Sequence, residues 1–167
     1  MEFLELTFED LNKMTIKQLK EIFENNHIHI KSKLNKADIV KSITSHIEVF
    51  NKIKNYIKTN YNVTEIIYSS YEGLFFNLIT PYWNVPIQIR QDWNYDYGIY
   101  ISIKFKNPRP QRRGITTGYC CQITRREYTD IIRYGKIEFN KIDNELNAIL
   151  ANINEDGIWC NESGYDD

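Results

Sequence analysis

The chain has 167 residues, 42% of them hydrophobic, and its 21 Lys and Arg against 22 Asp and Glu leave a formal charge of −1. That length holds one large domain, or an ordinary domain with a small appendage, and the near-neutral sum excludes a global field that would draw the protein onto nucleic acid. The charges are nonetheless unevenly spread: residues 1–10 carry four acids and no base, residues 11–58 carry ten Lys against four acids, and residues 136–167 carry two Lys against eight acids.

The opening Met-Glu-Phe-Leu-Glu-Leu has acids where a secretory signal needs Lys or Arg, so a cytoplasmic protein is expected, or a nuclear one in a eukaryotic host. Helix-start chemistry then appears three times. Thr7 with Asp10, Thr15 with Gln18 and Asn35 with Asp38 all have the spacing of a capping box, in which the cap side chain accepts from the third helical amide and the third side chain reaches back. Met14 with Leu19, and Leu34 with Ile39, have the spacing of a hydrophobic staple across the second and third starts. The expected order is a short helix over about 8–13, a helix from residue 16, an extended basic link and a helix from Lys36. In that last helix Ile39, Val40, Ile43, Ile47, Phe50, Ile53 and Ile57 keep helical spacing with no Gly or Pro before Asn60, which predicts one continuous element.

This N-terminal stretch resembles the SAP domain and its helix-extension-helix relatives, the LEM domain and the small N-terminal helical domain of the terminator Rho. The likeness rests on Leu19-Lys20 with Ile22 and Phe23, and on Lys36-Ala37-Asp38-Ile39-Val40 with Ile43, and covers about a quarter of the chain. SAP sequences usually carry a Gly just before the second helix; here Lys33-Leu34-Asn35 stands there, so the turn is expected to be built differently. The resemblance implies binding of DNA, RNA or a DNA-binding partner.

From Val63 the hydrophobic period changes to two. Five strands are predicted, over about 63–70, 73–80, 85–93, 97–106 and 115–124, as an antiparallel meander. Ile87, Ile89 and Trp93 alternate with Gln88, Arg90 and Asp92, and Ile99, Ile101, Ile103 and Phe105 alternate with Tyr100, Ser102, Lys104 and Lys106, one face core and the other wet. The uncharged run Gly73 to Ile89 is broken by Asn77, Pro81, Asn84 and Pro86, which reads as two strands and not a membrane span. Tyr128, Ile131 and Ile132 predict a helix ended by Gly135, and Ile142, Leu146, Ile149, Leu150 and Ile153 predict another. An acidic tail begins at Asn154 with Trp159 as its anchor. The fold class is therefore α+β: a helical unit over 1–59, then a domain over 60–167 with an antiparallel sheet covered by C-terminal helices.

Two basic groups stand out as nucleic-acid contacts. Lys31, Ser32, Lys33, Asn35 and Lys36 gather at the start of the third helix, where unpaired amides and a partial positive charge suit a phosphate. Arg109, Arg112 and Arg113 sit in a loop stiffened by Pro108 and Pro110, and their planar forks suit phosphate or carboxylate. The aromatic group Tyr82, Trp83, Trp93, Tyr95, Tyr97 and Tyr100 offers stacking surfaces for unpaired bases, a protein-binding hot spot or ordinary sheet packing.

Little points to catalysis. His27, His29 and His46 all fall in the helical unit. Cys120, Cys121 and Cys160 have no metal-ligand spacing and read as reduced thiols. No Gly-rich phosphate loop or serine elbow occurs. A nuclease would have to draw on Glu65, Asp92, Asp96 and Lys104, whose spacing matches no nuclease signature. No metal, cofactor or membrane partner is expected. The abundance of Ile, Asn, Lys and Tyr is what an AT-rich coding sequence gives, as in a phage, a large DNA virus or a low-GC bacterium. The expectation is a DNA-associated protein without catalytic residues, and the alternative is a protein-binding regulator or inhibitor of a host complex.

Overall fold

Short-range hydrogen bonds set the first helices. A computed structural model describes residues 2–26, 28, 33–70, 73–94, 98–106, 119–120, 132–133, 136–155 and 157–158, with 90–133 described through backbone pairing alone. Helix α1 (Phe8–Lys13) opens on a complete capping box: Asp10 N donates to Thr7 Oγ1 at 3.1 Å and Thr7 N donates to Asp10 Oδ2 at 2.9 Å. These bonds from Thr7 hold the Asp10 carboxyl below its ordinary value. Helix α2 (Ile16–Asn25) opens the same way, with Gln18 N on Thr15 Oγ1 at 3.2 Å and Thr15 N on Gln18 Oε1 at 2.8 Å. Each such cap contributes about 1 kcal/mol. Helix α3 (Lys36–Asn60) runs without a break for 25 residues, or about 37 Å at 1.5 Å per residue. Asn35 Oδ1 caps it by accepting from Asp38 N at 2.9 Å.

The chain divides into two compact units, Met1–Asn55 and Tyr56–Asp167, and the boundary falls inside α3. In the first unit the apolar stripes of all three helices close on one core of Leu11, Leu19, Phe23, Ile28, Ile39, Val40, Ile43 and Ile47, with Met14 and Leu34 packed against it. A 3-10 turn (Phe3–Glu5) precedes α1. It is fastened to α3, since Asn51 Nδ2 donates to Leu4 O at 3.0 Å and Phe3 meets the His46 ring edge-on at 5.6 Å.

The second unit carries an antiparallel sheet in the order β1 (Ile67–Ser69), β2 (Gly73–Ile79), β3 (Asn84–Asn94), β4 (Gly98–Lys106) and β5 (Tyr119–Cys120). This is the expected meander, and the protein is α+β. The first strand is shorter than predicted. Val63 bridges Leu78, but Ile67 pairs Phe75, so the register slips by one residue between them. That is the geometry of a bulge; beside it, Thr64 Oγ1 accepts from Asn77 N at 2.8 Å while Thr64 N donates to Asn77 O at 3.0 Å. Pro86 fits because it pairs Asn77 on the β2 side, while the β4 ladder ends at Ile87 opposite Phe105. Its missing N–H therefore leaves no gap between strands.

Three expectations are corrected. Gln88, assigned to the wet face, is buried along with Ile87 and Ile89. Ile132 is not helical: β6 (Ile132–Arg133) pairs β7 (Lys136–Ile137), with Ile132 opposite Ile137. The two residues between these strands match the length of a tight hairpin link, and Gly135, read as a helix end, lies outside the described residues. Tyr128 and Ile131 lie outside the described residues. The last helix also ends before Ile153, which was placed in it, while Trp159 lies outside the described residues. Helix α4 (Phe139–Asn152) buries Ile142, Leu146 and Ile149, but Leu150 is exposed, and the chain continues as a hairpin of β8 (Ile153–Asn154) and β9 (Gly157–Ile158) with Ile158 buried. No helix among the described residues is long and apolar enough to cross a membrane.

Candidate nucleic-acid interface

The link between α2 and α3 ends on Lys33, whose φ of 73° places it in the left-handed region. Glycine adopts that conformation freely; a side chain with a Cβ does so at about 1–2 kcal/mol. The turn before α3 thus uses a backbone shape that glycine favours, with a lysine in it. Lys33 and Asn35 are exposed. Lys33→Gly should raise the stability of the first unit by about 1 kcal/mol, read as a shift in its unfolding midpoint; no shift would mean that the strain is relieved by interactions of the lysine side chain.

Lys36 has a different part. Its Nζ donates to Asn12 O at 2.7 Å, which ties the end of α1 to the first turn of α3 and satisfies one carbonyl that a helix end leaves open. Lys36 is half-exposed and acts as a strut. Two of its three donors stay available to an anion. A sequence pattern has no means of marking this tie, because it joins residues 24 apart.

The structure brings Lys33, Asn35 and Lys36 together at one helix start. Lys31 and Ser32 lie outside the described residues, as do Arg109, Arg112 and Arg113 with their loop. Of the aromatic group, Tyr82 is exposed and Trp83 is committed to structure. Thr80 Oγ1 accepts from Trp83 N at 3.0 Å and closes the turn between β2 and β3, while Trp83 Nε1 donates to Asn154 O at 3.1 Å. That bond ties this turn to the β8–β9 hairpin. Tyr95 and Tyr97, and the side chains of Trp93 and Tyr100, lie outside the described residues.

Two polar sites are not among those expected from the sequence. His46 is buried to 1% exposure in the first unit, its Nε2 has no hydrogen-bond partner among the described residues, and its ring centroid lies 4.8 Å from that of Phe50. Burial pushes its imidazole down to about 4. Its place three residues after Ile43 and four before Phe50 puts it on the apolar stripe, which was the available signal. In the second unit, Asp143 of α4 accepts from two tyrosine hydroxyls, Tyr56 at 2.6 Å and Tyr61 by a very short bond. Phe139 stacks on Tyr56 at 4.3 Å. Tyr56 is pushed up by its bond to Asp143, and Tyr61 by burial and then by Asp143. Among the described residues no three His, Cys, Asp or Glu gather to hold a metal.

Comparison of the chain with family models, with curated proteins and with solved structures returns no match.

Proposed function

We propose that the protein associates with nucleic acid, most directly DNA, through the start of α3 in its N-terminal unit, without itself being an enzyme. The observation that carries this reading is Lys33, an exposed cation kept in a backbone conformation that glycine would hold at lower cost. Strain retained at an exposed position is a pointer to function. Its neighbours support the reading. The amides of α3's first turn and the spare donors of Lys36 suit phosphate oxygens, and lysines beside a helix N-terminus are unfavourable for its dipole until an anion arrives. The resemblance to helix-extension-helix domains supports the same assignment, and the Arg109, Arg112 and Arg113 loop supplies a second phosphate-binding group.

The test is a gel-shift titration with duplex DNA at several salt concentrations. Lys33→Glu should weaken binding across sequences, and the slope of log affinity against log salt should become shallower by about 0.9 for each phosphate no longer neutralised. Replacing Arg109, Arg112 and Arg113 together by Ala should flatten it by about three times as much. Lys36 is unsuitable for the same use, since breaking its tie to Asn12 would unsettle α1 as well. Equal affinities and slopes for the wild type and both variants would remove DNA as the partner and leave a protein-binding regulator.

A further inference from the structure

Helix α2 buries Leu19 and Phe23, and its other side is a shallow open groove of about 450 Å³ lined by Ile16, Lys17, Lys20, Glu21 and Glu24. Ile16 is 47% exposed there. Lys17 with Glu21, and Lys20 with Glu24, have the four-residue spacing at which helix neighbours meet. Among the described residues, however, none of these four charges forms an ion pair.

Their order is the reverse of what a lone helix favours. The first turn of α2 has no acid and its last turn has no base; instead Lys17 lies near the positive end of the dipole and Glu24 near the negative end, both unfavourable. An antiparallel neighbour of the same sequence reverses this. About a two-fold axis between Lys20 and Glu21, Lys17 stands level with Glu24 of the second copy, Lys20 with Glu21 of the second copy, and the two remaining pairs follow by symmetry. At 100° per residue the four charges span about a 100° arc, which is one docking strip. A parallel neighbour would set Lys against Lys and Glu against Glu.

We propose that the exposed face of α2 is a self-docking surface, on which two copies of this chain pair antiparallel about a two-fold axis. Such an interface is isologous: every interaction occurs twice. A helix of 10 residues is about 15 Å long, so the area covered falls well below the roughly 800 Å² per partner of a stable complex. The pairing is therefore weak, dependent on concentration, and reduced by salt because its ion pairs stay near solvent.

Sedimentation equilibrium of the full chain at low salt, from about 20 μM to about 1 mM, spans the range for an interface of this size. The apparent mass should rise from the 20.0 kDa monomer toward twice that value, and fall back when salt is raised. Lys17→Glu with Lys20→Glu gives one variant with four acids in the strip; Glu21→Lys with Glu24→Lys gives another with four bases. Each alone should remain monomeric, and an equimolar mixture should associate more strongly than the wild type. The milder Lys17→Gln with Lys20→Gln should weaken self-association without charge repulsion, and circular dichroism should show unchanged helix in all three. A wild type monomeric throughout the range, or a mixture no more associated than its components, would overturn the proposal.

Discussion

Acidification from pH 7 to pH 4 should cost the N-terminal unit about 3 kcal/mol through His46 alone. In the folded protein burial lowers this imidazole from 6.5 to about 4; in the unfolded chain it protonates at the ordinary value. The unfolded state therefore binds the proton first, stability falls as pH drops below about 6.5, and the decline levels off near pH 4. Among the described residues, no acceptor meets the Nε2 of His46. The rings of Phe3 and Phe50 lie against the imidazole. Hydrogen exchange resolved by segment is the fitting measurement, because all three tryptophans lie in the second unit. Amides of α1 and α2 should lose protection between pH 6.5 and 4, and His46→Phe should flatten that dependence. Asp10 adds a decline of its own at lower pH, since its carboxyl is held below the usual range by Thr7. A wild type and a His46→Phe variant with parallel pH profiles would show that protonated His46 is accommodated in the folded unit.

Removing the Asp143 carboxylate should lower the stability of the second unit through both tyrosine hydroxyls at once. Each hydrogen bond to a charged acceptor contributes about 1.5–3 kcal/mol. Both partners are part-exposed and partly screened by water, so Asp143→Ala is expected to lower the unfolding midpoint by less than two fully buried bonds of this kind would. Urea unfolding followed by tryptophan fluorescence reads this unit. Tyr56→Phe and Tyr61→Phe should each account for part of the effect, and double-mutant cycles with Asp143→Ala should give a coupling for each pair. There is an alkaline counterpart. Tyr61 ionises at higher pH in the folded state than in the unfolded chain, so its contribution is complete below pH 10 and is lost as the pH rises beyond it. If Asp143→Ala shifts the midpoint no further than an exposed substitution such as Leu150→Ala, the two hydroxyls find water as good a partner as the carboxylate.

What the sequence made legible was local. The boxes at Thr7 and Thr15 bring donor and acceptor within three residues, so their spacing alone locates α1 and α2. The unbroken apolar stripe from Ile39 to Ile57 likewise defines α3, and two-residue alternation located β2, β3 and β4. The failures have physical causes. Two adjacent isoleucines fit a helical face and a short strand alike, which misassigned Ile132. Gln88 obeys the alternation yet is buried, because alternation separates the two faces of a sheet and does not say that one of them meets water. The tyrosine pair on Asp143 joins residues 82 and 87 apart, and no short-range pattern marks such a pairing. At the candidate interface, the positions of Lys33, Asn35 and Lys36 at a helix start were readable, but the left-handed backbone of Lys33 was not, since nothing in its side chain favours that conformation.

The boundary inside α3 sets a limit on modularity. The uninterrupted α3 supplies Ile39, Val40, Ile43 and Ile47 to the core of the first unit and carries the buried Ile57 into the second, so each unit uses a stretch of the same helix. Severing the chain there would leave the last four carbonyls of the upstream fragment without donors and the first four amides of the downstream fragment without acceptors. Neither half is a transferable cassette. Gene fusion, domain shuffling or experimental dissection would have to duplicate the shared turns, giving each fragment a copy of what the intact chain holds once.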